Sequence, residues 1–429
     1  MSGDTAKSGT TGPNVTRPSR TLLVAGAGIP GLVLAVALKQ AHAPALDVVL
    51  CDPALEAGGT RHRGRAYAVA AAGRRLFERL GIWPAIAGAA EPIRDMAISD
   101  SRLHDPVRPV FLTFAQDGGA EPGEPFAHMV EAEPLVEAIL AAARACGVRL
   151  VATGVALANP ERGRIAVTLT DGSRLDASLV VAADGGRSRL REAAGIGWVG
   201  WSYPQVGIVA TVAHERTHEG RAFEHFLPSG PFAILPLVEG GSLGHRSSIV
   251  WTERAGDVPA LLGGSAEETL AEVGRRFGDR LGRIAIEEAP KAYPLAFGIA
   301  RSFRAERLAL LGDAAHVIHP IAGQGLNLGL ADVAALAESV TDALRLGMDP
   351  GAADVLAAYE RRRRFDTLAM AAATDGLNRL FSNDVLPVRL MRDLGLGVVD
   401  RLPGLKRLFI GEAAGGGRNL PRLLRGEAL

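Results

Sequence analysis

Three glycines at 26, 28 and 31 form the run Gly-Ala-Gly-Ile-Pro-Gly, and Asp52 follows 21 residues after the last of them. These residue types at this spacing suit a dinucleotide. Gly26 permits a tight turn, Gly28 lets the backbone approach a pyrophosphate, and Gly31 lets a helix lie close on the preceding strand. The amino end of that helix then faces the phosphate charge with its free N–H groups and its dipole. Asp52, ending the next strand, is placed to hold both ribose hydroxyls of an adenosine. Glycines alone are weak evidence, because a purely structural turn uses them too. The strand–turn–helix context and the acidic residue together make the reading strong.

Two further runs carry chemistry. In residues 179–196 an apolar strand runs into Asp184-Gly185, with Ser188 and Arg191 one helical turn further on. A carboxylate and a cation then stand at the carboxyl end of a strand, where ligands of open α/β sheets bind. Read alone, Asp184 also serves as a cap for a helix from 187. In residues 308–338 a strand delivers Gly312-Asp313. A loop with His316, His319 and Pro320 follows, and Gly323-Gln324-Gly325 opens a long helix. These glycines let backbone N–H groups touch a ligand face closely. The two histidines invite a metal, but no third ligand stands at usable spacing, so no metal site is expected. His319 reads equally well as a plain loop histidine and as a catalytic one.

Elements of a particular kind must position these runs. Apolar runs at 22–25, 48–51, 150–152, 165–170, 179–183 and 308–311 read as strands. Stretches 30–38, 69–80, 134–145 and 324–344 read as helices, with Pro134 in a first turn and Gly147 past an end. Strand, helix and strand at the start make a βαβ unit. Between about 205 and 255 the runs become short and β-like, with turns at Pro228-Ser229-Gly230 and Glu239-Gly240-Gly241, and 97–130 is similar. The expected fold is therefore α/β: a Rossmann-like dinucleotide domain (21–96, 131–196 and 296–345) with an inserted antiparallel-sheet domain (97–130 and 197–295). A C-terminal helical region (346–429) ends the chain, and residues 1–20, rich in Ser, Thr, Gly and Pro, read as a disordered tail.

Composition bounds the function. The 429 residues carry 47 Lys+Arg against 47 Asp+Glu, and this neutral balance gives no footprint for nucleic acid. At 48% hydrophobic the chain can bury a large core. Cys51 and Cys146 are its only cysteines, which excludes a disulfide framework and a cysteine zinc site. Residues 21–38 are uncharged and mimic a membrane span, but three glycines and a proline interrupt them, and the strand–turn–helix reading is better. A soluble, cytoplasmic chain is expected. Residues 345–429 hold 14 Lys+Arg against 10 Asp+Glu, including the run Arg361–Arg364. That suits a solvated helix face and, as a sharper expectation, peripheral contact with an anionic membrane such as the cytoplasmic face of the inner membrane.

The three motifs, in this order and spacing, resemble the FAD-dependent aromatic hydroxylases of the p-hydroxybenzoate-hydroxylase fold. The string HPIAGQGLNLGLAD, His319 to Asp332, is similar to the signature of their ubiquinone-biosynthesis branch, the UbiH/VisC type. So are GRAYAVAAAGRRLFERLGIW, PFAHMVE, FLPSGPFAILPL and YERRRRFDTLAMAAATDGLNRLFS, and the likeness covers nearly all of the chain after residue 20. One departure stands out: the branch continues after Val-Glu with Asn-Arg, and here Ala132-Glu133 stand there.

The resemblance implies FAD as cofactor and NAD(P)H and O2 as co-substrates. It also implies hydroxylation of a polyprenylated phenol through a flavin C4a-hydroperoxide, with other quinone-biosynthesis proteins as possible partners. It assigns Gly26, Gly28, Gly31 and Asp52 to the adenosine-diphosphate half of FAD. Asp184, Gly185, Ser188 and Arg191 would contact the flavin and passing NAD(P)H. Gly312 and Asp313 would take the ribityl hydroxyls. Gly323, Gly325, Leu326 and Asn327 would present a helix start to the reduced flavin N1, and the Pro320 carbonyl would border the peroxide. Arg65 is either a contact to the flavin phosphate or ribityl region or a solvated surface arginine. Phe226, Phe232 and Leu235 are candidates for excluding water, and no phenol-deprotonating base is identifiable. The rivals are a same-fold hydroxylase of another aromatic or polyketide, and a non-catalytic flavoprotein scaffold. A flavin halogenase is disfavoured, since Trp198 and Trp201 stand three apart and its W-x-W-x-I-P segment is missing.

Overall fold

A computed structural model describes residues 20–56, 64–103, 110–115, 124–382 and 419–429. The expected tail up to residue 19 and residues 383–418 of the C-terminal region lie outside the described residues.

The chain opens with strand β1 (Thr21–Ala25), helix α1 (Ile29–His42) and strand β2 (Asp47–Cys51). Next come β3 (Ala66–Ala70), α2 (Ala71–Arg79), α3 (Trp83–Ile86), β4 (Ala90–Ile93), β5 (Asp95–Asp100), β6 (Val110–Ala115), β7 (Ala127–Glu131) and α4 (Ala132–Cys146). Strands β8 (Arg149–Val151), β9 (Val155–Glu161), β10 (Arg164–Leu169), β11 (Arg174–Ala177) and β12 (Leu179–Ala182) lead to the short helix α5 (Arg189–Ala193). The middle of the chain is β13 (Trp198–His214), β14 (Arg221–Leu227), β15 (Gly230–Pro236), β16 (His245–Arg254), α6 (Val258–Leu262), α7 (Ala266–Phe277) and β17 (Ile284–Ala300). Then β18 (Arg304–Ala305), β19 (Leu308–Leu310), β20 (His316–Val317), α8 (Gln324–Arg345) and α9 (Ala353–Phe381) follow.

Two sheets do the positioning. The first has the order β18-β19-β12-β1-β2-β8, with all pairs parallel except β18–β19. Its strands are short and apolar on both faces, as a sheet covered on both sides requires: Leu22, Leu23, Val24, Val48, Val49, Val180 and Val181 are fully buried. Helix α1 covers one face and is buried from Leu32 to Leu38. Pro30 in its first turn supplies no N–H, where none is needed. Among the described residues no helix is long and apolar enough to cross a membrane.

The second sheet has eight strands in the order β20-β17-β13-β16-β15-β14-β5-β6 and is antiparallel except where β14 meets β5. The 17-residue strands β13 and β17 pair near Trp198–Ser202 and again beyond Val206, so they carry the large sheet away from the first one. Of the stretch 97–130, β5 and β6 pair into this sheet, whereas β7 pairs with β3 and β4 in a small sheet beside α2. Residues 69–70, read as helix, complete strand β3 instead; helix α2 begins only at Ala71. The β3–β7 ladder claims the backbone there and overrides helix propensity.

Candidate active site

Because β2, β1, β12 and β19 run parallel and in register, their carboxyl ends share one edge. The motif residues all follow those ends: Asp52 after β2, Gly26 after β1, Asp184 after β12, Gly312 and Asp313 after β19. Gly26 has φ +119, and a Cβ there would lie 2.2 Å from the Ala183 carbonyl oxygen. The first glycine turn thus touches the strand end that carries Asp184. A Cβ on Gly329 would lie 3.0 Å from Pro30 Cγ, and one on Gly312 3.4 Å from the same atom. Pro30 is therefore where the first motif, the Gly312-Asp313 turn and helix α8 meet. Glycine is needed at these crossings because backbone approaches backbone or ring without room for a side chain.

Several predicted residues build the site rather than face its opening. Arg191 is 4% exposed, donates from Nη1 to the carbonyls of Gly186 and Ala314 at 3.0 Å each, and stacks on Trp198 at 4.0 Å. It braces the Asp184 loop against the Asp313 turn. Ser188 is buried and caps α5 by accepting from Arg191 N. The Asn327 side chain accepts from Ala70 N at 3.0 Å and donates to Ala68 O at 2.9 Å, which ties the start of α8 to β3. Pro320 O accepts from Gly323 N at 2.9 Å. Leu326 is buried under the helix start. Asp184 is exposed, and its Oδ2 accepts from Leu190 N at 3.3 Å.

The groups that remain open fit a flavin dinucleotide. A Cβ on Gly185 or Gly325 would meet nothing within 4 Å, and one on Gly28 would reach only Pro30 Cδ at 4.0 Å. Backbone at these three points borders open space. Helix α8 starts at an uncapped Gly323 with φ +63, so the first-turn N–H groups of Gly325 and Leu326 have no intrahelical acceptor. Asp52 accepts from Ala27 N at 2.8 Å and Ala54 N at 2.7 Å. These bonds fix the orientation of its carboxylate at the end of β2.

Asp313 is exposed at the end of the Gly312 turn. Burial raises its carboxyl above the ordinary value, although His316 and Arg65 pull it down. No hydrogen bond reaches it among the described residues. Arg65 lies over the Tyr293 ring at 4.2 Å. Although burial opposes its charge, hydrogen bonding to Tyr293 and the neighbouring Tyr67 raises its value. It is thus a half-buried cation close to Asp313, not a solvated surface arginine. Two carboxylates, an uncapped helix start and a cation at one sheet edge match the donor and acceptor set that FAD requires.

Sequence reasoning gave no role to Asp332, the last residue of its most specific string. Asp332 is fully buried in α8. Its Oδ2 accepts from Gly312 N at 3.2 Å and from His316 Nε2 at 2.5 Å, and its Oδ1 from Arg363 Nε at 2.7 Å. Burial pushes its carboxyl up, but His316 and Arg363 outweigh that and hold it below the usual range. It clamps the Gly312-Asp313 turn and α9 to α8. The available signal was an acidic residue inside an otherwise apolar helix face.

Across from this edge stands the large sheet. Phe226 clusters with Ile321 and Phe381, stacking on Phe381 at 4.1 Å between centroids. Leu235 packs in the cluster of Ala222 and Met129. Phe232 does not join them: it packs with Trp251, Ile208 and Phe277 on the other face. The register explains this, because Phe226 pairs with Pro231 and Phe232 with His225, so the turn at Ser229 inverts the alternation. His319 is fully buried, with Nδ1 accepting from Ile321 N at 3.3 Å and its ring edge-on to Tyr203. Burial lowers it to about 4, so it is a neutral loop histidine near neutral pH. Glu133 lies exposed in the first turn of α4, where its charge favours the helix dipole, and Glu131 pairs with Arg246 at 2.7 Å. No cluster of three His, Cys, Asp or Glu suited to a metal exists among the described residues.

A parallel-sheet edge of this kind, with its three glycine and aspartate turns, suits a flavin dinucleotide. The family described as FAD binding domain matches residues 20–373, and the chain belongs to it. Within that family it is an FAD-dependent monooxygenase of the hydroxylase type. It is 46% identical to the ubiquinone hydroxylase UbiL of Rhodospirillum rubrum, over 95% of this chain and 93% of that one. It is 32% identical to the 3-demethoxyubiquinol 3-hydroxylase of Escherichia coli, over 94% and 100%. The p-nitrophenol 4-monooxygenase structure from Pseudomonas putida shares the fold at TM-score 0.74 and 20% identity, over 93% of this chain and 98% of that one.

Proposed function

We propose that this protein hydroxylates the ring of a polyprenylated phenol in ubiquinone biosynthesis, using FAD, NAD(P)H and O2. The observation that carries the reading is the shared edge of β2, β1, β12 and β19, which gathers the three glycine and aspartate turns beside the apolar residues of the large sheet that pack at the start of α8. It supports a cofactor on one side and an aromatic ring on the other. The names of the two relatives above point to the same substrate class. FAD, when bound, takes reducing equivalents from NAD(P)H and activates O2 for transfer of one oxygen atom.

The chain's own residues bind and orient. Gly28 and the start of α1 receive the pyrophosphate, and Asp52 the adenosine ribose. Gly185, Gly312 and Asp313 hold the ribityl side with Arg65 nearby. The N–H groups of Gly325 and Leu326 face the position where negative charge develops on reduction, and the Asn327 side chain holds that helix start against β3. Phe226, Ile321 and Phe381 keep water from that position.

A prenyl tail needs an apolar surface outside the site. Phe365 is 77% exposed, and Leu368, Leu377 and Leu380 follow it along the outer half of α9 beside Arg361, Arg362 and Arg379. This supports peripheral contact with an anionic membrane, tested by cosedimentation with cardiolipin vesicles at low and high salt. The function itself is tested by deleting the gene: a prenylated phenol should accumulate by mass spectrometry. Unchanged quinone with no accumulating phenol would refute it.

A further inference from the structure

Glu224 carries a carboxyl group on the inner face of the large sheet that has no partner among the described residues. It is 7% exposed, and no hydrogen bond or ion pair among those residues reaches it. It stands in β14 between Ala222 and Phe226, and strand alternation puts these three side chains on one face. Ala222 belongs to the cluster that includes Ala66 and Ala68 of β3, the strand to which Asn327 ties the start of α8. Phe226 belongs to the cluster of Ile321, in the loop that leads into α8. Glu224 therefore sits on the inner face, between the two points where the large sheet meets the flavin wall.

Its surroundings give it nothing to bind. Directly beside it on the neighbouring strands are Ile98 of β5 and Ala233 of β15. The nearest titratable side chain on this face is Asp100, opposite Phe226 on β5. Arg65 and Tyr67 are engaged with each other and with Tyr293 near Asp313, His319 is held neutral by burial, and Asp375 and Arg379 of α9 pair with each other. No charge acts on Glu224; burial alone raises it to about 7. Glu253 on the same sheet shows the contrast of a buried carboxylate with a structural job. It accepts from Arg276 Nη2 at 3.0 Å and Trp251 Nε1 at 3.2 Å. A buried carboxyl without such partners is costly, and a ligand's polar group at a site is what satisfies it.

We propose that the Glu224 carboxylate accepts the hydrogen bond, and during hydroxylation the proton, of the substrate's phenol hydroxyl. This rests on the function proposed above and supplies the base that the sequence did not reveal. In the step, the phenol O–H bond breaks and the proton passes to a carboxylate oxygen. The electron pair stays on the phenol oxygen and enriches the ring carbons ortho and para to it, one of which receives one atom of O2, while the other atom leaves as water with the two electrons of NAD(P)H. The attacked ring carbon then loses its own proton to restore aromaticity, and the carboxylic acid returns its proton to solvent. A general base of this kind contributes roughly 10²–10⁴-fold.

The test uses the FAD-loaded enzyme, 2-prenylphenol with a single isoprene unit as probe, and Glu224→Gln. Substrate affinity, hydroxylated product per NAD(P)H oxidised, and the pH profile of product formation are measured. Wild type should gain activity with rising pH through a group near 7, since the base must be ionised. The variant should retain FAD, bind the probe within about threefold, form product about 10²-fold more slowly, and lose that limb of the profile. Wild-type coupling and an unchanged profile in the variant would overturn the inference alone, as would loss of FAD, which makes Glu224 structural. A wild-type enzyme that neither binds nor hydroxylates the phenol would overturn the proposed function with it.

Discussion

Asp332 and Glu224 are both buried carboxylates, one on the cofactor side of the site and one on the substrate side, in opposite circumstances. Asp332 has Gly312 N–H, His316 and Arg363 around it. Glu224 has none of these. Asp332 thus closes a network that ties the Gly312 turn and α9 to α8 before any ligand arrives. The substrate wall keeps one polar group in reserve against an apolar face. A buried pair that loses one partner is strongly destabilised, whereas a lone buried charge is itself the destabilising element. Removing charge from the two sites should therefore change stability in opposite directions.

The largest effect is expected for Asp332→Asn, which removes the buried carboxylate from the Arg363 guanidinium (6% side-chain exposure) and leaves it the more exposed Asp366 as its ion-pair partner. Urea unfolding at pH 7 should show a loss of about 3–5 kcal/mol. The Asp332 contribution is present above about pH 4 and fades as pH falls through its lowered folded value, so the gap between wild type and variant narrows in acid. Asp313→Ala should leave the fold intact but weaken FAD binding by roughly 10- to 100-fold, the loss of a charged hydrogen-bonding group, read by fluorescence of released flavin. Full flavin retention would remove Asp313 from the site.

Glu224→Gln sharpens the comparison most. A raised carboxyl binds its proton in the folded state between about 4.5 and 7, so wild-type stability falls as pH rises across that window. The variant should match wild type at pH 5 and exceed it by about 1–3 kcal/mol at pH 8. A variant less stable than wild type at pH 8 would mean that Glu224 has a partner after all. The smallest effect is expected for Ser188→Ala, which removes the cap of α5 and should cost about 1 kcal/mol with little change in flavin content.

The same contrast explains what the sequence disclosed. The Gly26–Gly31 turn with Asp52, the Asp184 run and Gly312-Asp313 were legible because each is a local pattern at a strand end, and parallel pairing brings strand ends together. What the side chains of those motifs touch was not legible. Arg191 turns inward because Ala314 O, 123 residues away, lies beside it, and Asn327 binds β3 across 257 residues. No local spacing encodes such contacts. Phe232 was misplaced because the turn at Ser229 shifts the face that alternates inward. Glu224 did leave a trace: it is a charged residue in step with Ala222 and Phe226 on the buried face of a strand.

The account is tested most directly by isotope incorporation. Purified FAD-loaded protein, given NAD(P)H, 18O2 and a 2-polyprenylphenol, should yield a ring-hydroxylated product carrying one 18O atom per molecule. Product whose new oxygen comes from water, or steady NAD(P)H oxidation that the phenol neither stimulates nor converts to product, would contradict it.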